Sequence, residues 1–503
     1  MTRVEFLILL LLAAALLAQL AGHLRVPYPV MLVLGGLGIA FIPGGDRVAL
    51  APDVVFGVLL PPILYAAAFT SSPRDLRAHA REIGLLSIGL VALTVAAVAV
   101  VAHAALHLSW PMAFVLGAVL APTDPVAAVA VFRRAHVPES VGAIVEGESL
   151  VNDGAGLTLF KLAVAAATGG GFTLWHAGLD LVLVSTGGVA AGLAVAWLIG
   201  HLRRPVQEPQ IEITLSLFTP YAAFIVAEHL GVSGILAVVA AGLYSGWRAS
   251  DALLPETRVK AEAFWGVLAF VLEALLFVLV GLQLPHVVAG LGPGAVGRYL
   301  PPALAVVGAL VVVRMAFALA VRRPAAEGAV VGWSGMRGAV SLAAALSVPA
   351  AADGRDLVLF AAFVAIVVTL VGQGMTLGPL VRAVGLGASE EAERREEEAR
   401  LEASQAALAR LEEAAHDDDV PDTTVERLRS TYVEHAERAA AELGHEDVET
   451  EDSSEAYRDL RRATLAAERE AIMRLRREGR LGRAAARRLQ HEIDLAESRL
   501  GSA

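Results

Sequence analysis

The chain has 503 residues, of which 56% are hydrophobic, 18% are charged and none is cysteine. This composition is too apolar for a soluble protein of such length, and it excludes disulfide bonds and thiolate metal sites. Residues 1–387 carry 21 basic and 21 acidic side chains, and residues 388–503 carry 19 basic and 30 acidic side chains. The net charge of −11 therefore lies entirely in the tail, and it provides no basic surface for nucleic acid.

Long apolar segments dominate residues 1–387. They lie near residues 4–22, 27–43, 50–70, 83–106, 110–132, 140–168, 174–200, 210–229, 232–247, 260–283, 299–321, 328–352 and 357–381. A helix crosses a bilayer with roughly 20 apolar residues, and with fewer where it is locally unwound. The first segment lacks a convincing cleavage site and is followed at once by others, so we do not assign it as a signal peptide. The sequence therefore predicts an all-α polytopic membrane protein with about thirteen transmembrane helices.

Basic residues are distributed unevenly between the two sides of these crossings. If the N-terminus is outside, the cytoplasmic connections hold 14 Lys and Arg residues and the outer connections hold four. Cytoplasmic loops carry an excess of such residues, and an even number of crossings would remove the asymmetry. We expect a multi-pass protein of the cell membrane with its N-terminus outside and its tail in the cytoplasm.

Thirteen crossings divide into two sets of six joined by one helix, which inverts the second set. Inverted repeats are common in secondary transporters, and an interrupted helix at matching places in both halves indicates the substrate site near mid-membrane. The fifth span is interrupted by APTDP (121–125), and its counterpart in the second half by GWSGMRG (332–338). Proline removes helical hydrogen bonds and glycine lowers helix stability, so we expect two broken, crossed helices.

Residues 388–503 form a separate region in this interpretation. Segments 388–415 and 456–499 are rich in Ala, Leu, Glu and Arg at helical spacing, with turn-forming stretches between them. We expect a transmembrane domain over residues 1–387 and a cytoplasmic helical domain over residues 388–503. The tail has two open roles, namely packing or dimer support, and regulation.

The sixth span carries an unusual density of polar groups for a membrane segment. A charge at mid-membrane costs about 2.5–3.5 kcal/mol on insertion scales, so each such residue is a candidate functional group. Helical spacing places Ser149 and Asp153 on one face, and Glu148 and Asn152 on a neighbouring face.

Asp153 is the residue on which we centre the chemistry. In a partly desolvated cavity a carboxylate can hold a proton or a hard cation, but not both. The Ser149 hydroxyl and carbonyl groups freed at Thr123 and Asp124 are further oxygen ligands for sodium, with water completing the shell. If the protein changes sides only when this charge is neutralised, competition for one carboxylate produces exchange. The alternative is a structural Asp153 that caps the broken fifth span.

Arg337 needs a partner, because a guanidinium stays charged under ordinary conditions. We expect Glu148 to pair with it, which would join the two broken-helix regions and leave Asp153 free to titrate; Arg337 capping its own helix break is the alternative. Asp124 either binds the ion, directly or through water, or sits at the N-terminal end of a half-helix, where the dipole favours an anion.

Among the other charged residues within the apolar segments, four have weaker interpretations. We expect structural roles for Glu228 and Glu273, although both could line the cavity. Lys161 lies eight residues beyond Asp153 on the same helical face and could tune the site by its charge. We expect Arg314 to extend towards the cytoplasmic end of its span.

Three strings in this sequence stand out, namely GAVLAPTDPVAAVAVF (117–132), EGESLVNDGAGL (146–157) and GWSGMRGAVSLAAALSVP (332–349). Together they resemble the NhaP-like branch of the sodium/proton antiporters, which includes the eukaryotic sodium/proton exchangers. Further similar strings, among them VLLPPILYAAAF (58–69) and HEIDLAESRL (491–500), extend the likeness over nearly the whole chain.

The resemblance implies thirteen helices, a homodimer, a core domain that moves against a dimerisation domain, and no cofactor. It implies that Asp153, Ser149 and the Thr123 backbone hold the transported metal ion, with a Glu148–Arg337 salt bridge as support. The Asn152-Asp153 pair is similar to that of electroneutral members. Many relatives have an acidic residue where this chain has Ala66, which leaves the selectivity among sodium, lithium and potassium open.

The expected function is a secondary sodium/proton antiporter in pH homeostasis, and not an enzyme. The GWSG stretch (332–335) resembles a rhomboid protease motif, but no histidine follows it before His416, and HExxH and GxxxxGK motifs are absent. A potassium or broad monovalent cation/proton antiporter is the first alternative. An ion channel or a non-transporting sensor is the second, and stoichiometric coupling separates it from an antiporter. A carboxylate-centred site argues against a carrier of organic anions.

Overall fold

The computed structural model describes most of the chain. The described residues are 3–24, 26–41, 52–135, 137–168, 174–203, 208–252, 255–292, 294–322, 324–386, 390–414, 422–444, 464–472, 474 and 493. The chain divides into two compact units, Met1–Ala388 and Ser389–Ala503. Most of the predicted helical segment 456–499 lies outside the described residues, apart from a helical stretch at 464–472.

Helices occupy each of the thirteen predicted apolar segments. In the first unit they are α1 (Arg3–Leu24), α2 (Tyr28–Ala40), α3 (Pro52–Thr70), α4 (Pro73–Ala78), α5 (Ala80–Leu106), α6 (Trp110–Leu120), α7 (Val126–Ala135), α8 (Glu139–Ala167), α9 (Leu174–Arg203), α10 (Pro209–His229), α11 (Gly234–Ala252), α12 (Pro255–Leu282), α13 (Leu284–Leu291), α14 (Ala295–Val321), α15 (Ala325–Trp333), α16 (Ala339–Leu346) and α17 (Arg355–Ala383). The second unit contains α18 (Glu390–Ala414) and α19 (Asp422–Gly444), which pack against each other.

The predicted fold class of an all-helical polytopic membrane protein is confirmed. Among the described residues, eight helices are long and apolar enough to cross a membrane, namely α3, α5, α8, α9, α10, α12, α14 and α17. Shorter apolar helices accompany them at Ile8–Leu24, Tyr28–Ala40 and Trp110–Leu120. Their backbone groups bond within each helix, as a segment surrounded by hydrocarbon requires.

Burial distinguishes the helices at the centre of the first unit from those at its periphery. In the most apolar part of α17, 72% of the residues are buried, whereas in α9 the share is 22%. Large apolar side chains such as Leu183 and Trp197 on α9 are exposed. A helix that is apolar on its outer surface is typical of contact with lipid, so α9 lies at the periphery and α17 at the core.

Both predicted interruptions are present, and each separates two half-helices. Residues 121–125 lie between α6 and α7, and residues 334–338 lie between α15 and α16. Backbone that leaves the helix at this depth needs partners from protein or water, because lipid offers none. The backbone groups freed at the two breaks therefore need hydrogen-bond partners from the protein or from water around them.

The two breaks contact each other directly. The backbone N–H of Asp124 donates a hydrogen bond of 2.8 Å to the carbonyl of Met336, so one break satisfies a group freed by the other. The Asp124 carboxylate accepts a hydrogen bond of 3.0 Å from the N–H of Val126 and thereby caps the start of α7. Gly338 lies so close to the Asp124 side chain that a β-carbon at position 338 would collide with it.

This close approach predicts that Gly338→Ala destabilises the protein. The added methyl group must displace Asp124 from its hydrogen bonds, and overpacking of this kind costs about 1–3 kcal/mol. Thermal unfolding of the detergent-solubilised variant should show a lowered midpoint.

Gly372→Ala is the matched control for this substitution. Gly372 lies within α17 and has open space around its β-position, so alanine there should leave the unfolding midpoint unchanged or raise it. Equal midpoints for the two variants would contradict the contact between the breaks.

Candidate functional site

Asp153 lies in the middle of α8, and its side chain is only 4% exposed. Its Oδ1 atom is fully buried and has no hydrogen-bond partner among the described residues. Glycine lets other elements approach this part of α8, since a β-carbon at Gly156 would meet the Pro122 ring at 2.8 Å and one at Gly154 would overlap the Leu236 side chain. The first break therefore packs directly against the helix that carries the carboxylate.

Thr123 is held to α8 by four hydrogen-bonding contacts, two with Asn152 and two with Ser149. The Asn152 amide N–H donates 2.7 Å to the Thr123 hydroxyl, and the Asn152 carbonyl oxygen accepts from the Thr123 backbone N–H at 3.4 Å. The Ser149 hydroxyl lies 3.1 Å from the Thr123 hydroxyl and donates to the Thr123 carbonyl. A free carbonyl of the break is thereby fixed beside the Ser149 hydroxyl.

These groups open onto one cavity with a free volume of about 80 Å³, which we call the site cavity. Its polar lining residues are Thr123, Asp124, Glu146, Ser149, Asp153, Glu273 and Ser341. A buried water needs roughly 10–15 Å³ of such volume, so the site cavity has room for a partly hydrated ion. Four of its lining residues are carboxylic acids, and no Lys, Arg or His is among the described residues that line it. Such a lining attracts cations and repels anions.

The structure brings most of the predicted site residues together. Asp153, Ser149, Thr123 and Asp124 all line the site cavity. Asn152 does not line it and lies behind Thr123, which it orients through the two hydrogen bonds. For Asp124 the capping role is present in the structure, and a role in ion binding stays a prediction.

The predicted Glu148–Arg337 salt bridge is wrong, because Glu148 pairs with Arg314 on α14. The two guanidinium Nη atoms donate to the two carboxylate oxygens, with 2.8 Å between Nη2 and Oε2, and Nη2 also donates 3.1 Å to the Val331 carbonyl. Glu148 is 1% and Arg314 2% exposed, so Arg314 does not extend to the membrane surface as expected. Gly335 makes room for it, since a β-carbon there would overlap the Arg314 side chain.

Arg337 is also fully buried, at the second break. Its backbone N–H donates 3.0 Å to the Thr369 hydroxyl on α17, while its Nε and Nη1 atoms have no hydrogen-bond partner among the described residues. Arg337 thus adds a positive charge near the breaks without the ion pair that we predicted for it.

The remaining predicted charges occupy two different places. Glu273 on α12 lines the site cavity and accepts a hydrogen bond of 2.9 Å from the Tyr28 hydroxyl, so it has both of the roles considered for it. Lys161 and Glu228 form a 3.1 Å ion pair in another cavity, with 65% and 40% of their side chains exposed. The structure therefore places Lys161 outside the site cavity.

Glu146 and Ser341 are lining residues to which the sequence analysis assigned no role. Glu146 precedes Asp153 by seven residues on α8, so the helical period alone places it on the same face. Ser341 on α16 has a buried hydroxyl without a partner among the described residues. The sequence does not indicate that Ser341 lies near α8, because the two meet only through the crossing of the two broken helices.

Known proteins resemble this chain over most of its length. Residues 7–383 match the family described as "Sodium/hydrogen exchanger, transmembrane". The uncharacterized Na(+)/H(+) exchanger Rv2287 of Mycobacterium tuberculosis is 34% identical over 522 residues, covering 98% of this chain and 95% of that protein. The Na(+)/H(+) antiporter ApNhaP of Aphanothece halophytica is 33% identical over 441 residues, covering 85% and 82%. The structure of the sodium proton antiporter MjNhaP1 from Methanocaldococcus jannaschii at pH 8 has the same fold, with a TM-score of 0.62, 21% identity, and coverage of 76% of this chain and 99% of that chain.

The buried ion pair predicts that Arg314→Met strongly destabilises the protein. The substitution leaves the Glu148 carboxylate buried without its partner, and removal of one member of a buried pair costs about 3–5 kcal/mol. Thermal unfolding in detergent should show a lowered midpoint.

Lys161→Met is the control, because it breaks an exposed pair that contributes about 0–1 kcal/mol. Adding Glu148→Gln to Arg314→Met should restore part of the lost stability, because no charge is then left unpaired. If Arg314→Met unfolds at the same temperature as Lys161→Met, the pair does not have this structural role.

Proposed function

The chain belongs to the sodium/hydrogen exchanger family, and on that premise we propose that it is a secondary antiporter that exchanges sodium ions for protons at Asp153. One observation carries the proposal: the buried Asp153 carboxylate has an oxygen without a partner among the described residues, in an acidic cavity. A buried carboxylate is costly unless something neutralises its charge. A proton does so by binding covalently, and a sodium ion does so by coordination.

The oxygen atoms around Asp153 support a sodium ion as the cargo. Hard cations prefer carboxylate, hydroxyl and carbonyl oxygens, and the Ser149 hydroxyl and the Thr123 carbonyl lie together at the site cavity. The ligand set that we propose is Asp153, Ser149 and the Thr123 carbonyl, completed by water, with Asp124 in reach of the same cavity. Glu273 is a further carboxylate of the site cavity. In this proposal it supplies the negative charge that many relatives carry at the position of Ala66.

Competition for one carboxylate makes the exchange electroneutral in this proposal. Glu148 is neutralised by Arg314 and Asn152 cannot titrate, so in this proposal the Asp153 carboxylate is the group that exchanges a proton for the cation. It carries one proton in one direction and one monovalent cation in the other. Each crossing then moves one positive charge in either direction, so a full exchange cycle moves no net charge across the membrane.

The proposed architecture has thirteen crossings, with α6–α7 and α15–α16 each forming one interrupted crossing. We propose two inverted six-helix repeats, an outside N-terminus, a cytoplasmic tail and a homodimer in the cell membrane. The contact between the two breaks supports a site at the interface of the repeats, where transporters of this construction bind their substrates. For the tail, with α18 and α19, we propose a role in regulation or in packing or dimer support.

We expect purified protein in liposomes to show sodium-dependent proton flux that Asp153→Asn abolishes. The amide has the shape of the carboxylate but neither binds a proton in this pH range nor supplies the charge that sodium needs. A pH-sensitive dye inside the vesicles measures the flux. The control is Asp356→Asn, whose carboxylate is 51% exposed at the start of α17, and which should exchange like the unmodified protein.

Unchanged exchange in Asp153→Asn would contradict the mechanism. The same vesicles tested with sodium, lithium and potassium separate the sodium antiporter from a broad monovalent cation antiporter. Cation flux that continues without a counterflow of protons would identify a channel, and no flux of either ion would favour a sensor.

Electroneutral exchange predicts a reversal point that does not depend on voltage. For one-for-one exchange, flux stops when a tenfold sodium gradient opposes a proton gradient of about one pH unit. A potential of about 100 mV adds about 2.3 kcal/mol for each net charge moved, which for an exchange of two protons against one cation would displace the reversal by nearly one pH unit. Potentials set with potassium and valinomycin should leave the reversal pH in place, and a shift of that size would contradict the stoichiometry.

A further inference from the structure

Three oxygen-bearing side chains line the site cavity from one face of α8. Glu146, Ser149 and Asp153 are separated by three and four residues, so they follow one another along that face. The rise of an α-helix places Glu146 about 10 Å from Asp153 along the axis, towards the N-terminal end of α8. The ligands that we propose for the ion are therefore preceded by another carboxylate on the same helix.

Beyond Glu146 lies a second cavity of about 430 Å³, which we call the wide cavity. It is lined by residues at the end of α3, the start of α4, α7 and the first turns of α8, among them Asp75, Arg133, Glu139 and Ala143. Glu146 also lines it, and among the described residues it is the one member common to both linings. The Glu146 side chain therefore stands at the junction between the wide cavity and the site cavity.

The cavity at the C-terminal end of α8 does not share a described lining residue with the site cavity. This third cavity of about 490 Å³, which we call the outer cavity, contains the Lys161–Glu228 pair. In this structure the ion site thus adjoins the wide cavity, which faces the cytoplasm in the proposed orientation.

Glu146 has the properties of a ligand for an ion in transit. Its side chain is half-buried, and among the described residues Arg133 interacts with it electrostatically without forming a direct ion pair. Among the described residues, the other charged groups of the wide cavity are Arg133, Asp75 and Glu139, and all three are exposed. A carboxylate at a constriction compensates for the water that a cation loses on entering, and it raises the local cation concentration.

Building on the proposed function, we propose that Glu146 is the residue that receives the cation from the wide cavity and passes it to Asp153. It acts on the exchange only at the face of the protein that carries the wide cavity. A permanent ligand of the bound ion would act on binding from both faces, because the bound state is common to both directions. A substitution that affects sodium transport at one face only therefore identifies a transfer residue, and one that affects it at both faces identifies a ligand of the bound ion.

The experiment uses liposomes in which one orientation of the protein is silenced. The chain has no cysteine, so Ala143→Cys introduces a single thiol into the wide cavity. A charged, membrane-impermeant methanethiosulfonate reagent added outside should block the molecules whose wide cavity faces outwards. With the reagent trapped inside instead, the other population is blocked.

In this background Glu146→Gln should raise the apparent KM for sodium by about three- to tenfold when sodium is presented at the wide-cavity face. Sodium presented at the opposite face should show an unchanged or lower KM. The difference should shrink as choline chloride raises the ionic strength, because salt screens the lost charge. Glu146→Asp keeps the charge and should restore most of the KM.

Glu139→Gln is the matched control, since it removes an exposed carboxylate of the same cavity away from the junction. Its KM at either face should stay within about twofold of the unmodified value, because exposed charges are strongly screened. If Glu146→Gln changes the KM equally at both faces, or at neither, Glu146 is not a transfer residue. If the thiol adduct fails to block transport, the wide cavity is not the passage, and the inference fails.

A failure of the Glu146 inference can be distinguished from a failure of the proposed function. If only the inference fails, the unmodified protein still exchanges sodium for protons in the same vesicles, and Asp153→Asn still abolishes exchange. If the proposed function fails, the unmodified protein itself shows no coupled flux.

Discussion

The buried ion pair between Glu148 on α8 and Arg314 on α14 sets the electrostatic conditions of the whole site. Glu148 lies only five residues from Asp153, and two unpaired carboxylates at that spacing would repel each other in a medium of low polarity. Arg314 removes this repulsion and at the same time binds the Val331 carbonyl on α15. The pair therefore connects α8 to the second half of the chain and leaves Asp153 with a buried carboxylate oxygen that has no partner among the described residues.

The two helix breaks solve the problem of open backbone by facing each other and α8. The Asp124 N–H bonds to the Met336 carbonyl, and the Thr123 carbonyl accepts from Ser149. These two freed groups thus have protein partners, as backbone surrounded by a bilayer requires. The same arrangement presents a carbonyl and a hydroxyl to the site cavity, so the interruption that costs helical hydrogen bonds is also what creates cation ligands at this depth.

The long helix α8 organises access to the site as well as the site itself. The wide cavity lies at its N-terminal end, the site cavity lies at its middle, and the outer cavity with the Lys161–Glu228 pair lies near its C-terminal end. Only the first two share a lining residue among those described. Access from one side at a time is what an antiporter requires, because a continuous passage would let the cation flow without the proton.

The sequence by itself determined the helices, the two interruptions and the polar face of α8, because these depend on local chemistry. Apolar length predicts membrane helices, proline and glycine predict the breaks, and the helical period places Ser149 with Asp153. The same period would also have placed Glu146 on that face. Only the tertiary structure decided that Glu148 pairs with Arg314, 166 residues away, and that Asn152 orients Thr123 instead of facing the site cavity. A sequence pattern shows which face of a helix a residue occupies, but which distant helix packs against that face depends on the crossing geometry of the whole bundle.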